Sequence, residues 1–240
     1  MSKSLKLFLG IFYLIILFLF LYLIFSYIDI TRLDDFLYYK DLQTNLEKSI
    51  SSNLFLNLFL FFLFCIIWVT LLGFGSPLLI VSGILFGKWI GTFISVLSIS
   101  TGALSLYLIA VFFFKNSLNN LLEKKFSKYI RLFQKNEFYY FFIFRLVGGL
   151  GIPFGLQNIL PVVFNMTKFN YFFASLLGFI PIFFIWNTIG SGLDKYIKQS
   201  DSFSLINLIT SKEIYLPMLM FAIVMIVSAI IKKKVFSGTN

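Results

Sequence analysis

Residues 138–164 read FYYFFIFRLVGGLGIPFGLQNILPVVF. The ten apolar-rich residues from Phe138 to Val147 reach only about 15 Å as a helix, half of the roughly 30 Å hydrocarbon core of a bilayer. Gly148, Gly149, Gly151, Pro153 and Gly155 follow. A helix running through them would lose about 1 kcal/mol at each glycine and about 3 kcal/mol at the proline. The stretch is therefore predicted to turn inside the membrane and return to the side it came from. Backbone broken at that depth needs protein or a wet cavity around it, so this re-entrant hairpin is expected to line a polar site. Its first arm carries one charge, Arg145.

The rest of the chain is consistent with a membrane setting. Of 240 residues, 59% are hydrophobic and 20% aromatic, and apolar runs longer than about 18 residues recur, the pattern of an all-α polytopic membrane protein. Histidine is absent and Cys65 is the one cysteine. An internal disulfide and His-dependent triads are thereby excluded, and neither metal nor cofactor is expected. The net charge of +10 comes from residues flanking apolar runs, so anionic lipid rather than nucleic acid is the expected partner.

In chain order, Lys3 and Lys6 precede Leu7 to Ile28, long enough to span and without an A-x-A type cleavage signature, hence an anchor. Asp29 to Asn53 is polar, a loop or short surface helix. Leu54 to Leu72 is apolar and runs into Gly73, Phe74, Gly75, Ser76 and Pro77, and Leu78 to Phe86 is too short to span before Gly87, Lys88 and Trp89. This predicts a first hairpin like the second. A full span follows at Trp89 to Phe114. Asn116 to Glu137 has apolar residues three or four apart among Lys124, Lys125, Lys128, Arg131 and Lys135, the pattern of an interfacial helix on anionic lipid or of a solvated connector. Asn170 to Ile189 spans, Gly190 to Tyr215 is mostly polar, and Leu216 to Ile231 spans before Lys232, Lys233 and Lys234. Three regions result: 1–53, an anchor and external loop; 54–192, the hairpin domain; and 193–240, an external loop and last span.

Shifting the chain by 76 residues superposes Gly73, Gly75, Pro77, Phe93 and Gly102 on Gly149, Gly151, Pro153, Phe169 and Gly178 without a gap. Both copies read hairpin then span, an internal duplication of the kind found in transporters. A hairpin plus one span crosses the membrane once, so two in series are inverted relative to each other. With the N-terminus cytoplasmic, Lys3, Lys6, the six basic residues between Lys115 and Lys135 and the terminal lysines lie inside. They outnumber Arg32, Lys40, Lys48, Lys195, Lys198 and Lys212 outside, as the positive-inside rule requires.

Arg145 then lies near mid-membrane, where an arginine costs about 2.5 to 3.5 kcal/mol on insertion scales and marks a functional site by default. No Asp or Glu occurs within an apolar run to pair with it. A negatively charged ligand would complete it; alternatively, Arg145 bonds carbonyls freed by the neighbouring glycines. Gln157 and Asn158 either close the hairpin backbone or touch a ligand. Pro77 and Pro153 suit a first helical position and Ser76 a cap. Two helix N-termini would then bring N–H groups and dipole ends to the arginine, an arrangement that binds phosphate.

Several of these residues also form a pattern. Gly75-Ser76-Pro77, Ser82-Gly83-Ile84-Leu85-Phe86-Gly87-Lys88-Trp89-Ile90-Gly91, Gly102-Ala103, Phe144-Arg145-Leu146, Pro153-Phe154, Asn158, Phe169 to Phe172, Gly178 and Pro181 resemble the VTT domain of the DedA and TVP-type, SNARE-associated Golgi membrane proteins. The likeness runs from about Leu54 to Gly192. It implies two facing re-entrant hairpins and movement of phospholipids or polyprenyl phosphate carriers between leaflets, with Arg145, Pro153 and Asn158 carried over by position. Val147-Gly148-Gly149 stands where relatives often have a proline, and the intramembrane carboxylates of the DedA branch have no counterpart, so the TVP-type branch fits better and proton coupling is not expected.

The candidate substrate-binding set is thus Arg145, Ser76, Gly75, Pro77, Gly151, Pro153 and Asn158. No P-loop pattern is present, so the expected function is a lipid flippase or scramblase, not an enzyme, acting on anionic phospholipid or lipid phosphate. The rivals are a small-ion channel or transporter and a non-transporting scaffold. A homo-oligomer is compatible with this reading. The expected location is the bacterial inner membrane, with both termini cytoplasmic.

Overall fold

The structure, a computed structural model, describes residues 15, 18, 22, 36–200, 202, 204–231, 233 and 234, without the side chains of 36, 39, 114, 116–119, 121–129, 132, 134 and 150. The chain forms two compact units, Met1–Asn45 and Leu46–Asn240. In the first, Ile15, Phe18 and Tyr22 are helical and exposed, and the rest of the predicted anchor Leu7 to Ile28 lies outside the described residues. A polar helix, α1 (Phe36–Ser52), occupies the stretch read as loop or surface helix. The second unit contains α2 (Leu54–Thr70), α3 (Gly75–Lys135), α4 (Glu137–Leu146), a 3-10 turn (Gly148–Gly151), α5 (Phe154–Ile159), a second 3-10 turn (Leu160–Phe164), α6 (Lys168–Gln199), α7 (Leu205–Thr210) and α8 (Lys212–Ile231). Every described element is helical, and among the described residues three helices are long and apolar enough to cross a membrane.

The second hairpin forms as its composition requires. Asn136 caps α4 by accepting a bond from Tyr139 N, and α4 ends at Leu146, within a residue of the predicted half-span. Gly148, Gly149 and Gly151 all have positive φ, a conformation that costs an L-residue about 1–2 kcal/mol. At Gly149 a side chain is also excluded by space, since a Cβ would overlap the Gln157 amide. The chain then returns through α5 and the second 3-10 turn. Glu137, at the entrance, accepts bonds from Thr167 N, from Thr167 Oγ1 (2.8 Å) and from Asn170 Nδ2 (2.6 Å) at the exit. Entrance and exit therefore lie at one side, which defines the segment as re-entrant.

The first hairpin is α2, the tip before Gly75 and the start of α3, which spans Gly75–Lys135 but is not a rod. Gly87 has φ +72, and Ser82 Oγ donates to Gly91 O at 3.1 Å, whereas nine residues of straight helix would separate those positions by roughly 13 Å. The chain reverses at Gly87, the position at which the sequence predicts that the return arm Leu78 to Phe86 ends. Phe86 meets Phe61 of α2 with ring centroids 5.3 Å apart, and the Trp68 indole donates to Phe74 O at 2.8 Å across the tip.

A second reversal in α3 narrows the reading of Asn116 to Glu137, whose last turn packs on protein. Ring contacts of 6.2, 5.2 and 4.7 Å lead from Phe133 through Phe141 and Tyr171 to Tyr107, whereas 26 residues of straight helix would rise roughly 39 Å. Helix α3 does not end near Asn116. It folds back and buries Ile130 and Phe133 in the protein, with Phe133 stacked on Phe164 at 4.5 Å. At this end the periodic apolar face finds aromatic residues of the second hairpin instead of lipid. The side chains of Lys124, Lys125 and Lys128 lie outside the described residues. The other boundary shift is in α6, which runs past Ile189 to Gln199. Gly190 and Gly192 stay helical there because they press on the backbones of Ile80 and Glu213, and Asp194 pairs with Lys198 at 3.0 Å one turn on.

The two hairpins enter from opposite faces. From the reversal at Gly87, α3 climbs twenty residues, roughly 30 Å, to Tyr107, whose hydroxyl donates to Met166 O at the exit of the second hairpin. That rise matches the hydrocarbon core. Helix α6 returns, and Phe184 meets Trp89 beside the first reversal at 4.9 Å. Between these two ends the tips meet: a Cβ on Gly75 would lie 3.8 Å from the Phe154 ring, and one on Gly155 would lie 3.0 Å from the Leu72 side chain. The duplication appears in the contacts themselves. Gly102 packs on Ile66 O and Val69 Cβ, and Gly178 packs on Phe142 O and Arg145 Cβ, each pair displaced by the same 76 positions.

Candidate functional site

Arg145 is the largest wholly buried side chain described, 1% exposed. The penultimate position of α4 aims it between the return arm and α6. Nε donates to Ser175 Oγ at 3.3 Å, Nη1 to Gln157 Oε1 at 3.3 Å, and Nη2 to Asn158 Oδ1 at 2.7 Å and Tyr171 OH at 3.0 Å. The rings of Phe141 and Phe179 lie 4.7 Å from the guanidinium carbon, and that of Tyr171 lies 5.7 Å from it. Ring faces attract a cation most where water is excluded. Every partner is neutral, and none of the described Asp or Glu residues pairs with the arginine. These four bonds leave one Nη1 N–H of the five guanidinium donors over.

This site occurs only in the second repeat. Arg145, Asn158, Tyr171 and Ser175 correspond, 76 positions earlier, to Val69, Ser82, Ser95 and Ile99. The same architecture is therefore cationic in one half and close to neutral in the other.

Beside Arg145 lies a cavity of about 190 Å³. Phe74, Gly75 and Ser76 of the first tip, Gly148, Phe154 and Gln157 of the second, and Phe179 and Trp186 of α6 form much of its wall. Gly75 and Ser76 open α3 there, at the helix end where backbone N–H groups lack intrahelical partners.

The predicted residues divide. Arg145, Gly75 and Ser76 meet at the cavity, whereas Asn158 is wholly buried, bonds Arg145 and does not line the cavity. Ser76 is no cap: Phe74 holds the N-cap position, and Pro77 stands third in the helix, exposed and off the cavity wall. Pro153 is itself the N-cap of α5, not its first residue, because its ψ of 140 is extended. Helix α5 has six residues, too short to present a helix-terminal site, so one N-terminus rather than two faces the cavity. Gly151 and Pro153 are exposed parts of the turn and do not line the cavity. The alternative in which Arg145 bonds glycine carbonyls is also corrected. Gln157 takes that role, donating to Ile152 O at 2.6 Å and Gly148 O at 3.4 Å. Tyr171 and Ser175 escaped the sequence reading, although two polar residues four apart in an apolar span are a signal for one shared buried face.

A cysteine scan checks the tip. Cys65 is wholly buried, so the native protein offers little background to water-soluble thiol reagents. Ser76→Cys, exposed at the cavity, is expected to label in reconstituted protein. Full protection would show that the tip lacks the wet surround its broken backbone needs.

Fold and site together define a polytopic helical membrane protein whose two inverted re-entrant hairpins meet at a buried cation. A family model for the VTT domain matches residues 73–192, and the chain belongs to the VTT-domain family, DedA-like membrane proteins with a link to transport. The match begins at the first hairpin tip and ends within α6. No solved structure matches the chain.

Proposed function

We propose that this protein carries phosphate-bearing lipids, phospholipid or polyprenyl phosphate, between leaflets as a flippase or scramblase, without ATP and without enzymatic chemistry. The observation that carries the proposal is Arg145, a charge enclosed by protein, held only by neutral groups, at the wall of a cavity where both hairpin tips meet. A phosphate supplies the absent negative charge. It would take the spare Nη1 N–H and displace the long 3.3 Å contact to Gln157, giving the paired geometry guanidinium offers to oxyanions. The N–H groups at the start of α3 add donors from the opposite tip. The cavity suits a phosphate-sized group, so the acyl tails would stay in lipid while the headgroup crosses. The lack of a carboxylate at Arg145 favours the TVP-type branch and uncoupled movement, and the basic residues of the inside segments favour cytoplasmic termini in a bacterial inner membrane.

The test is flux from purified protein in vesicles containing a headgroup-labelled phosphatidylglycerol, with a membrane-impermeant reductant outside. Bleaching is expected to continue past the outer-leaflet fraction. Ion leak without lipid movement would favour the small-ion transporter, and movement of neither would leave a scaffold.

A further inference from the structure

Helix α6 separates two different surfaces. Phe179 and Trp186 face the cavity beside Arg145, whereas Leu176, Ile180 and Phe184, one turn apart, line a groove of about 530 Å³ with Trp89, Phe93 and Leu97 of α3. From Trp89 to Leu97 the groove follows α3 for roughly 12 Å. Thr92 is the one hydroxyl in its wall, and that hydroxyl bonds Lys88 O. Trp89 is 70% and Phe93 66% exposed. The Trp89 end is charged: Lys88 Nζ stands 5.8 Å from the Trp89 ring, is exposed, and has no acidic partner among the described residues. Lys88 and Trp89 follow the reversal at Gly87, where the first hairpin reaches the membrane face, the level at which tryptophan and lysine side chains meet headgroups.

We propose that this groove is a binding site for one anionic phospholipid, with an acyl tail along Trp89, Phe93 and Ile180 and the headgroup phosphate on Lys88. An apolar trough with a cation at its interfacial end, unpaired with any described carboxylate, matches that molecule in polarity and charge. The site lies across α6 from Arg145 and stands whether or not the cavity passes lipid.

Trp89 fluorescence reads the site directly. The emission difference between the native protein and Trp89→Phe isolates Trp89 from Trp68 and Trp186. The protein is placed in phosphatidylcholine vesicles carrying a small fraction of lipid brominated on its tails. At equal fraction, brominated phosphatidylglycerol is expected to quench Trp89 about fivefold more effectively than brominated phosphatidylcholine, the enrichment one basic residue near the surface provides. Lys88→Gln should bring the two lipids to parity, and Lys88→Arg should keep the preference. Equal quenching in the native protein overturns the site and leaves bulk lipid. A preference that survives Lys88→Gln also overturns it. Weak quenching by both lipids overturns it as well, and cross-linked dimers would then identify a second copy as the cover. The preference is expected to persist in Arg145→Gln; its loss there would assign the lipid to the central cavity and overturn the groove.

Discussion

Arg145→Gln will bring lipid flux in reconstituted vesicles down to the level of protein-free vesicles, and Arg145→Lys will retain a fraction of it. The glutamine removes both the charge and the fork that a phosphate would engage, whereas lysine keeps a point charge without paired donors. Stability is expected to move far less than flux. Losing the guanidinium orphans Asn158 Oδ1 and Gln157 Oε1, at about 1–3 kcal/mol for each buried acceptor. The glutamine amide can satisfy one of them. Against that loss stands relief of the roughly 2.5 to 3.5 kcal/mol insertion cost of an intramembrane arginine. The two terms nearly cancel, so thermal unfolding in detergent should shift by only a few degrees. The paired measurement is flux and unfolding temperature on the same preparations. A glutamine variant whose stability falls in step with its flux would make Arg145 a structural tie between α4, the return arm and α6, and would end its role as a headgroup contact.

The other large effect lies where the first hairpin crosses α6. A Cβ on Gly83 would overlap Asn187 O, and one on Gly190 would overlap Ile80 O and lie 3.0 Å from Gly83 Cα. Both obstacles are backbone, so no rotamer change relieves them and the arm has to leave α6. Overpacking usually costs about 1–3 kcal/mol, and contact between main chains belongs at the upper end. Gly83→Ala and Gly190→Ala should each lower the unfolding temperature clearly, with the double variant non-additive because the sites touch. Gly190→Leu should not yield monodisperse protein on size exclusion. Recovery of Gly190→Leu with native stability would mean that the hairpin and α6 are not in contact, and the inverted arrangement would lose its support.

The turn of the second hairpin could be read from the chain because its causes are local: ten apolar residues cannot cross a bilayer, and three glycines can adopt positive φ where other residues pay for it. Arg145 was legible for the same reason, as a charge without a carboxylate in its own apolar run. The 76-residue repeat reached further, and the glycine contacts at Gly102 and Gly178 bear it out. The continuation of α3 past Asn116 was not legible, since the amphipathic spacing there suits lipid and protein equally and only the position of Phe164 and Phe144 decides that Phe133 is buried. The aromatic and hydroxyl enclosure of Arg145 comes from residues up to 34 positions away, brought together because Gly178 lets α6 touch α4. Neighbours along the chain set backbone conformation within a few residues, but which side chain meets a buried charge depends on how separate helices pack, and close packing is a property of the assembled protein.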